Sequence, residues 1–242
     1  MTTIRQLVTD GYREGGILAV GVSPSGEEHE EGLRHLHRIL RSLFGNEIGE
    51  PLRSYNYGSE GLLGSGGGED ISGGIAANFI PSNIRLVCNN SEEETLYLDP
   101  SPDDGARIGI IDRAGNFSSN SIELDGNGRS IESLSSIVLS QDGVNREWFY
   151  RADLGGWLRV TDPGADEESP LPPEFDDLLT TLLAFRINPR YGAETSANLD
   201  MTMTMMRKRF RSRYRQGIEM PVEAGLLALT SGGLYVYDFN GG

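Results

Sequence analysis

Apolar residues along the chain follow two periods, and the switch between them divides the sequence. Ile4, Leu7, Val8 and Tyr12 recur at helical spacing. Thr3-Ile4-Arg5-Gln6 has the form of a capping box, in which Gln6 reaches back to the N-cap amide. Gly15-Gly16 ends that helix. Ser25 and Glu28 repeat the signature, and Leu33, Leu36, Leu40 and Leu43 follow as a second face with Ile39 and Phe44 beside it. From Ile84 to Val160 the period changes to two. Residues 84–88, 95–98, 107–111, 121–124, 136–139, 147–150 and 157–160 read as short strands. Turn signals separate them, among them Asp103-Asp104-Gly105, Ala114-Gly115-Asn116, Asp125-Gly126-Asn127-Gly128, Asp142-Gly143 and Gly155-Gly156. This spacing predicts an antiparallel sandwich or barrel.

Helical spacing returns over 172–216. Pro172 and Pro173 open a helix at a position where the missing N–H costs nothing, and Glu174, Asp176 and Asp177 complement its dipole. Phe175, Leu178, Leu179, Leu182 and Leu183 form its apolar face. Asn188-Pro189 is expected to stop it, because proline disfavours the α region in the preceding residue. A second helix is expected to restart near Ala193, with Leu199, Met203, Met206 and Phe210 on one side and Gly217 as its end signal.

Short amphipathic helices cannot bury their apolar faces singly. The predicted fold class is therefore α+β. A discontinuous four-helix domain is built from residues 1–50 and 170–217, with an antiparallel β-sandwich or barrel inserted over 84–161 and an extended C-terminal tail over 218–242. A Gly-rich linker covers 51–83. It lacks the Lys-Ser/Thr, the preceding strand and the following helix of a phosphate-cradling loop, so it reads as a flexible surface loop. In the tail, Leu226, Leu227 and Leu229 form one apolar patch, and Leu234, Tyr235, Tyr237 and Phe239 belong to a strand-like run. A segment this apolar is expected to close back on its own subunit or to add to an edge or groove of another chain.

Charge narrows the function. With 36 carboxylates against 21 Lys and Arg, the net charge is −15, which excludes the broad positive surface of a sequence-independent nucleic-acid binder. The exception is the run Arg207, Lys208, Arg209, Arg211, Arg213 and Arg215. On a helix these residues spread around most of the circumference. They read either as dipole-favoured charges paired with acidic neighbours or as a contact to phosphate. Cys88 is the single cysteine, so neither an intramolecular disulfide nor a cysteine metal site is available. His29, His35 and His37 lack i, i+4 spacing, and Asp125, Asn127 and Arg129 lack the later ligands of a calcium loop. No nucleophile elbow occurs. The expectation is a non-enzyme without cofactor. Met201, Met203, Met205 and Met206 read as adaptable packing at a core or subunit seam. Without a long apolar run or a signal sequence, a cytoplasmically made protein with no membrane anchor is expected.

The hairpin pattern is an acidic residue before Phe175, an apolar helix, Asn188-Pro189-Arg190-Tyr191-Gly192, and a long second helix ending in Arg and Lys. It resembles the head-to-tail adaptors of short-tailed phages, connector and tail-tube proteins that form a ring beneath the portal. Ile111-Asp112-Arg113-Ala114-Gly115-Asn116-Phe117 through Asp125-Gly126-Asn127-Gly128 is similar to a β-module of phage tail and neck proteins. In that module the Gly-Asn-Phe corner and the Asp-Gly-Asn-Gly hairpin hold register, and a Trp, here Trp157, packs the core. The resemblance implies a structural virion protein, assembled in the host cytoplasm as a twelve-membered homo-oligomeric ring. Its partners would be the portal protein and a distal tail nozzle or fibre protein, with dsDNA passing through the lumen without sequence-specific binding. The tail residues Leu226, Leu227, Leu229, Leu234, Tyr235, Tyr237 and Phe239 would then dock onto the portal. Arg207, Arg209, Arg211, Arg213 and Arg215 are candidates for inter-subunit or phosphate contact. The alternative is a glycan-binding or cell-wall-degrading virion module, which an exposed platform of Trp148, Tyr150 and Trp157 would favour; in a strand Trp148 and Tyr150 share a face.

Overall fold

The computed structural model of the chain describes residues 2–47, 52–58, 79–192 and 197–214. Both capping boxes form. Gln6 N–H donates to Thr3 Oγ1 (3.3 Å) and Thr3 N–H to Gln6 Oε1 (2.9 Å) at the head of α1, Ile4–Glu14. Glu28 and Ser25 repeat the exchange at 3.3 and 2.7 Å before α2, Gly26–Ser42. A single π turn, Leu43–Glu47, continues α2 and carries the buried Phe44. The acidic stretch that leads back from the strands completes the α1 cap. Ile4 N–H donates to the Glu167 carbonyl (3.0 Å) and Arg5 N–H to that of Ala165 (2.7 Å), while Arg5 Nε pairs with Asp166 at 2.9 Å. Helix N-termini leave such donors without intrahelical partners.

A short 3₁₀ turn, Pro173–Phe175, leads into α3, Asp176–Tyr191. The expectation that Asn188-Pro189 stops this helix is corrected. Pro189 sits inside its last turn, and the helix ends at Gly192, which adopts the left-handed conformation (φ 65°) and donates its N–H to the Asn188 carbonyl. So close to the end, proline removes only one intrahelical bond, to the carbonyl four residues back, and this turn tolerates the loss. Helix α4 is described over Ala197–Tyr214; its expected start near Ala193 lies outside the described residues.

Among the described residues the seven strands predicted over 84–160 all appear, joined by three unpredicted ones, but their predicted antiparallel arrangement is corrected. The strands are β1 (Arg53–Gly58), β2 (Phe79–Ile80), β3 (Ile84–Asn89), β4 (Glu94–Leu98), β5 (Arg107–Asp112), β6 (Ile122–Asp125), β7 (Ser130–Ile131), β8 (Ser136–Leu139), β9 (Asn145–Arg151) and β10 (Gly156–Arg159). They form two mixed sheets, ordered β1-β3-β5-β9-β10-β7 and β2-β4-β6-β8, with no closed barrel among the described residues. In the first, β1, β3 and β5 are parallel, β9 pairs antiparallel with β5 and β10, and β7 pairs parallel with β10; in the second, β2, β4 and β6 are parallel and β8 pairs antiparallel with β6. From β1 to β6 the chain alternates between sheets, so each strand is the crossover for the parallel pair on either side of it. Parallel neighbours need a long crossover, and an intervening strand supplies it. A period of two cannot distinguish this arch from a hairpin. The stretch read as a Gly-rich linker, 51–83, contributes β1 and β2; residues 59–78 within it lie outside the described set.

Two hydrophobic clusters result. Both sheets line one, around Leu86, Ile108, Ile110, Leu96, Ile122, Leu124, Phe117, Trp148 and Trp157. The other collects Ile4, Leu7, Val8 and Tyr12 of α1, Leu36 and Leu40 of α2, Leu178, Leu179 and Leu183 of α3, and Phe210 and Tyr214 of α4. Leading and trailing helices therefore share one core. Close approach needs glycine here: a Cβ on Gly32 would stand 2.6 Å from Val8 Cγ1 and 2.9 Å from Tyr12 Cε2. Phe149 of β9 belongs to the helical cluster although its strand neighbours Trp148 and Tyr150 belong to the other. Its ring meets Phe44 and Tyr214 edge-on, each at 5.1 Å. Beside it, Glu147 accepts from Arg107 (2.6 Å) and Arg85 (3.0 Å). Strand register sets Gly109 between Arg85 and Glu147, where a Cβ would meet Arg85 Nε at 3.0 Å.

Candidate interaction surfaces

The motif that carries the adaptor resemblance clamps α3 onto the first two helices. Asn188 is buried, and a Cβ on Gly15 would lie 2.2 Å from its Oδ1. Arg190 pairs with Glu31 of α2, and the Tyr191 ring stands edge-on to Tyr12 of α1 at 5.9 Å. Tyr12 in turn donates its hydroxyl to the Glu28 carbonyl at 2.8 Å. The turn thus joins three helices through an ion pair, a ring contact and a left-handed glycine.

Helix α4 has two unlike sides. Met203 and Met206 pack against the helical cluster in line with the buried Phe210 and Tyr214, whereas Met201 and Met205 are 63% and 64% exposed. At 100° per residue, Met201, Met205, Lys208 and Ser212 form the stripe opposite the buried side. The basic run splits accordingly. Arg213 pairs with Glu174 and, at 3.0 Å, with Asp104, and its guanidinium lies 5.2 Å from the Tyr214 ring centroid. Arg209 reaches the same Glu174 at 3.5 Å. These two follow the intramolecular ion-pair reading. Arg207 lines a hollow of about 120 Å³ with Ile39, Leu43, Leu182, Phe185 and Arg186. Arg211 is exposed, and Arg215 lies outside the described residues. Asp104 was not recognisable as a partner from sequence, because its turn signal says nothing of the helix that will lie over it. Gly105 beside it (φ 88°) would place a Cβ 2.8 Å from Tyr214 Cδ1, so the turn fits directly beneath that ring.

The tail residues Leu226, Leu227, Leu229, Leu234, Tyr235, Tyr237 and Phe239 all lie outside the described residues. The aromatic platform does not form: Trp148 and Tyr150 do share a face, but it is the inner one, and Trp148, Tyr150 and Trp157 are all buried. Trp148 Nε1 donates to Glu132 at 2.8 Å, and Tyr150 packs on Trp157 at 5.3 Å.

What holds the β-module corner is Asp112. Its Oδ1 accepts from the N–H groups of Gly115 (2.8 Å) and Asn116 (3.3 Å), and its Oδ2 from those of Phe117 (3.4 Å) and Gly143 (3.0 Å). Burial pushes this carboxyl up, but the donated backbone hydrogen bonds outweigh it and hold the group below its ordinary value. The corner carries Phe117 into the core, where it is fully buried. Asn116 Nδ2 donates to the Asn90 carbonyl at 2.6 Å, tying the corner to the β3–β4 arch.

Chemistry elsewhere is sparse. Burial pushes the Cys88 thiol up to about 12, which leaves it protonated and unreactive at neutral pH. His35 faces Glu31 at 3.7 Å and His37 faces Asp162 at 3.3 Å, on separate partners. Among the described residues, no group of three or more His, Cys, Asp or Glu is placed to hold a metal ion, and no helix is long and apolar enough to cross a membrane. The outer face of the second sheet is open. Tyr97 of β4 and Val138 of β8 are 43% and 58% exposed, with Glu123 and Asp125 of β6 between them. No protein-family model matches the chain, and no curated protein matches it.

Proposed function

We propose that this chain is a structural virion protein, a head-to-tail adaptor whose copies stand side by side in a twelve-membered ring between the portal and the distal tail. The observation that carries the reading is the shared core of the first two and last two helices, with the strands between them building a second core of their own. A four-helix body carrying a β-sandwich insertion suits a ring protein: the body makes the lateral contacts while the insertion reaches the next tail component. The Asn188–Gly192 turn supports the resemblance, because its residues hold α1, α2 and α3 together instead of serving chemistry. The net charge of −15 suits a lumen through which DNA slides without sticking. Residues 218–242 dock onto the portal. With Trp148, Tyr150 and Trp157 inside the core, no observation favours the glycan-binding alternative.

Co-sedimentation with purified portal rings from the same virion tests this. The full chain is expected to pellet with the portal, and a chain shortened after residue 217 to remain in the supernatant. A full chain that stays in the supernatant at every ratio overturns the proposal.

A further inference from the structure

The loop between α1 and α2 ends in an apolar tip that no described residue covers. Ile17 and Leu18 anchor the loop against the helical cluster, and their N–H groups donate to the Tyr12 carbonyl at 3.0 and 3.3 Å. Ala19-Val20-Gly21-Val22 then forms a tight turn, closed by the Val22 N–H to the Ala19 carbonyl at 3.1 Å. Gly21 has φ 87°, the positive value that a type II turn requires at its third position. Arg13 steadies the turn by donating to the Val22 carbonyl at 3.2 Å. Turn tips are ordinarily Gly, Pro, Asn, Asp or Ser, yet here Val20 is 96% exposed and Val22 47%. An apolar side chain is thus held out in water on a fixed, hydrogen-bonded support. At the other end of α2 lies the hollow of about 120 Å³ between α2 with its π turn, α3 and α4. Ile39, Leu43, Leu182 and Phe185 give it apolar walls, and Ser42, Arg186 and Arg207 add polar groups.

We propose that the Ala19–Val22 turn of one copy of this chain seats Val20 in the hollow of a second copy. Size agrees. An apolar cavity of about 150 Å³ accepts a benzene ring, so the hollow takes the isopropyl group of one valine. The same copy cannot supply it, because about 20 Å of helix separates Gly26 beside the turn from Ile39 in the hollow. Charge agrees as well. Glu14 and Glu27 flank the turn, and both are exposed and in no ion pair among the described residues. Arg13, which steadies the turn, is itself paired with Asp10 at 3.2 Å. At the hollow, Arg186 and Arg38, the latter one turn before Ser42, are exposed and equally without an ion pair among the described residues. Burial, and then Arg38, Arg186 and Arg34, hold the His35 imidazole below its ordinary value, so this stretch is locally positive. An acid-flanked apolar tip therefore meets an apolar hollow with a positive rim, the core-and-rim anatomy of specific contacts. Tip and hollow differ and sit at opposite ends of one helix, so the contact is heterologous: it propagates from copy to copy and ends only by closing into a ring.

This inference rests on the reading of the chain as a ring protein and names one contact that would build the ring. The test uses full-length variants: Val20→Ser removes the apolar tip, and Ser42→Trp fills the hollow. Circular dichroism checks that each folds, and Arg186→Glu, at an exposed position on the rim, replaces Ser42→Trp should that variant unfold. Sedimentation velocity reads assembly of the free chain, and electron-microscopic images read it on portal rings. Wild-type copies are expected to touch, and each variant alone to give only separate copies. An equimolar mixture of tip and hollow variants is expected to stop at pairs, because one competent tip then meets one competent hollow and nothing further can join. Variants whose copies touch as wild-type copies do, or a mixture without pairs, overturn this contact while leaving the ring reading intact. Wild-type copies that stay separate in both settings overturn the ring reading and this inference with it.

Discussion

Asp112→Asn isolates the corner that sets the β-module register. The substitution keeps the shape of the side chain but leaves one carbonyl oxygen where two carboxylate oxygens accept four backbone N–H groups. Whichever way the amide turns, its NH₂ faces two donors. One of the lost bonds is well formed, at 2.8 or 3.0 Å, and the other is long, at 3.3 or 3.4 Å. An unsatisfied buried donor costs about 1–3 kcal/mol, and bonds to a charged acceptor contribute more than neutral ones. The loss should therefore be about 3 kcal/mol at neutral pH, which for a chain of this size lowers the melting temperature by roughly 6–12 °C. Urea titration followed by Trp fluorescence measures it, since Trp148 and Trp157 both lie in the cluster that the corner closes. The pH dependence gives an independent check. Asp112 is held below its ordinary value, so its contribution is fully present above about pH 4 and is lost as the pH falls through the lower folded value. The gap between wild type and variant should accordingly narrow below about pH 4. A variant with the wild-type urea midpoint at pH 7, or a gap that widens with acid, refutes this account of the corner.

Phe149→Ala removes the ring shared by Phe44 and Tyr214 at the seam between the sheet and the helices, and should cost about 3–5 kcal/mol in urea unfolding monitored by circular dichroism; an effect below about 1 kcal/mol would mean the seam is loosely packed. Gly32→Ala sets a helix-propensity gain of about 1 kcal/mol against a Cβ 2.6 Å from Val8 Cγ1. The overpacking is expected to win by about 1–2 kcal/mol, and a stabilised variant would show that α1 gives way freely. Arg213→Ala breaks ion pairs on a side chain that is 41% exposed, so its thermal stability should change by less than about 1 kcal/mol; a larger drop would make the Glu174–Arg213–Asp104 group a core fixture.

Much of the helical body was legible because its signals are local. Thr3 with Gln6 and Ser25 with Glu28 mark their caps within four residues, and the apolar spacing of each helix points to its buried side. The exception, Pro189, shows that a breaker acts through the hydrogen bond it removes, and near a helix end that loss is small. Strand positions were legible for the same reason, but strand partners were not. Whether β4 turns back beside β3 or crosses to the opposite sheet depends on the arch at Asn90, which is held by Asn116 and Asn120 some thirty residues away. The basic run looked uniform in sequence. Its division into an ion-paired side and an exposed stripe follows from where Glu174 and Asp104 come to lie, which only the tertiary fold decides.

On the proposed reading, the helices on either side of the strands form one body that stands beside copies of itself on a portal. Electron-microscopic imaging of portal rings saturated with the full chain tests it most directly. The account predicts a closed ring of twelve copies, helical bodies in contact and β-modules projecting away from the portal. Portals carrying isolated, non-touching copies, or none, would contradict it.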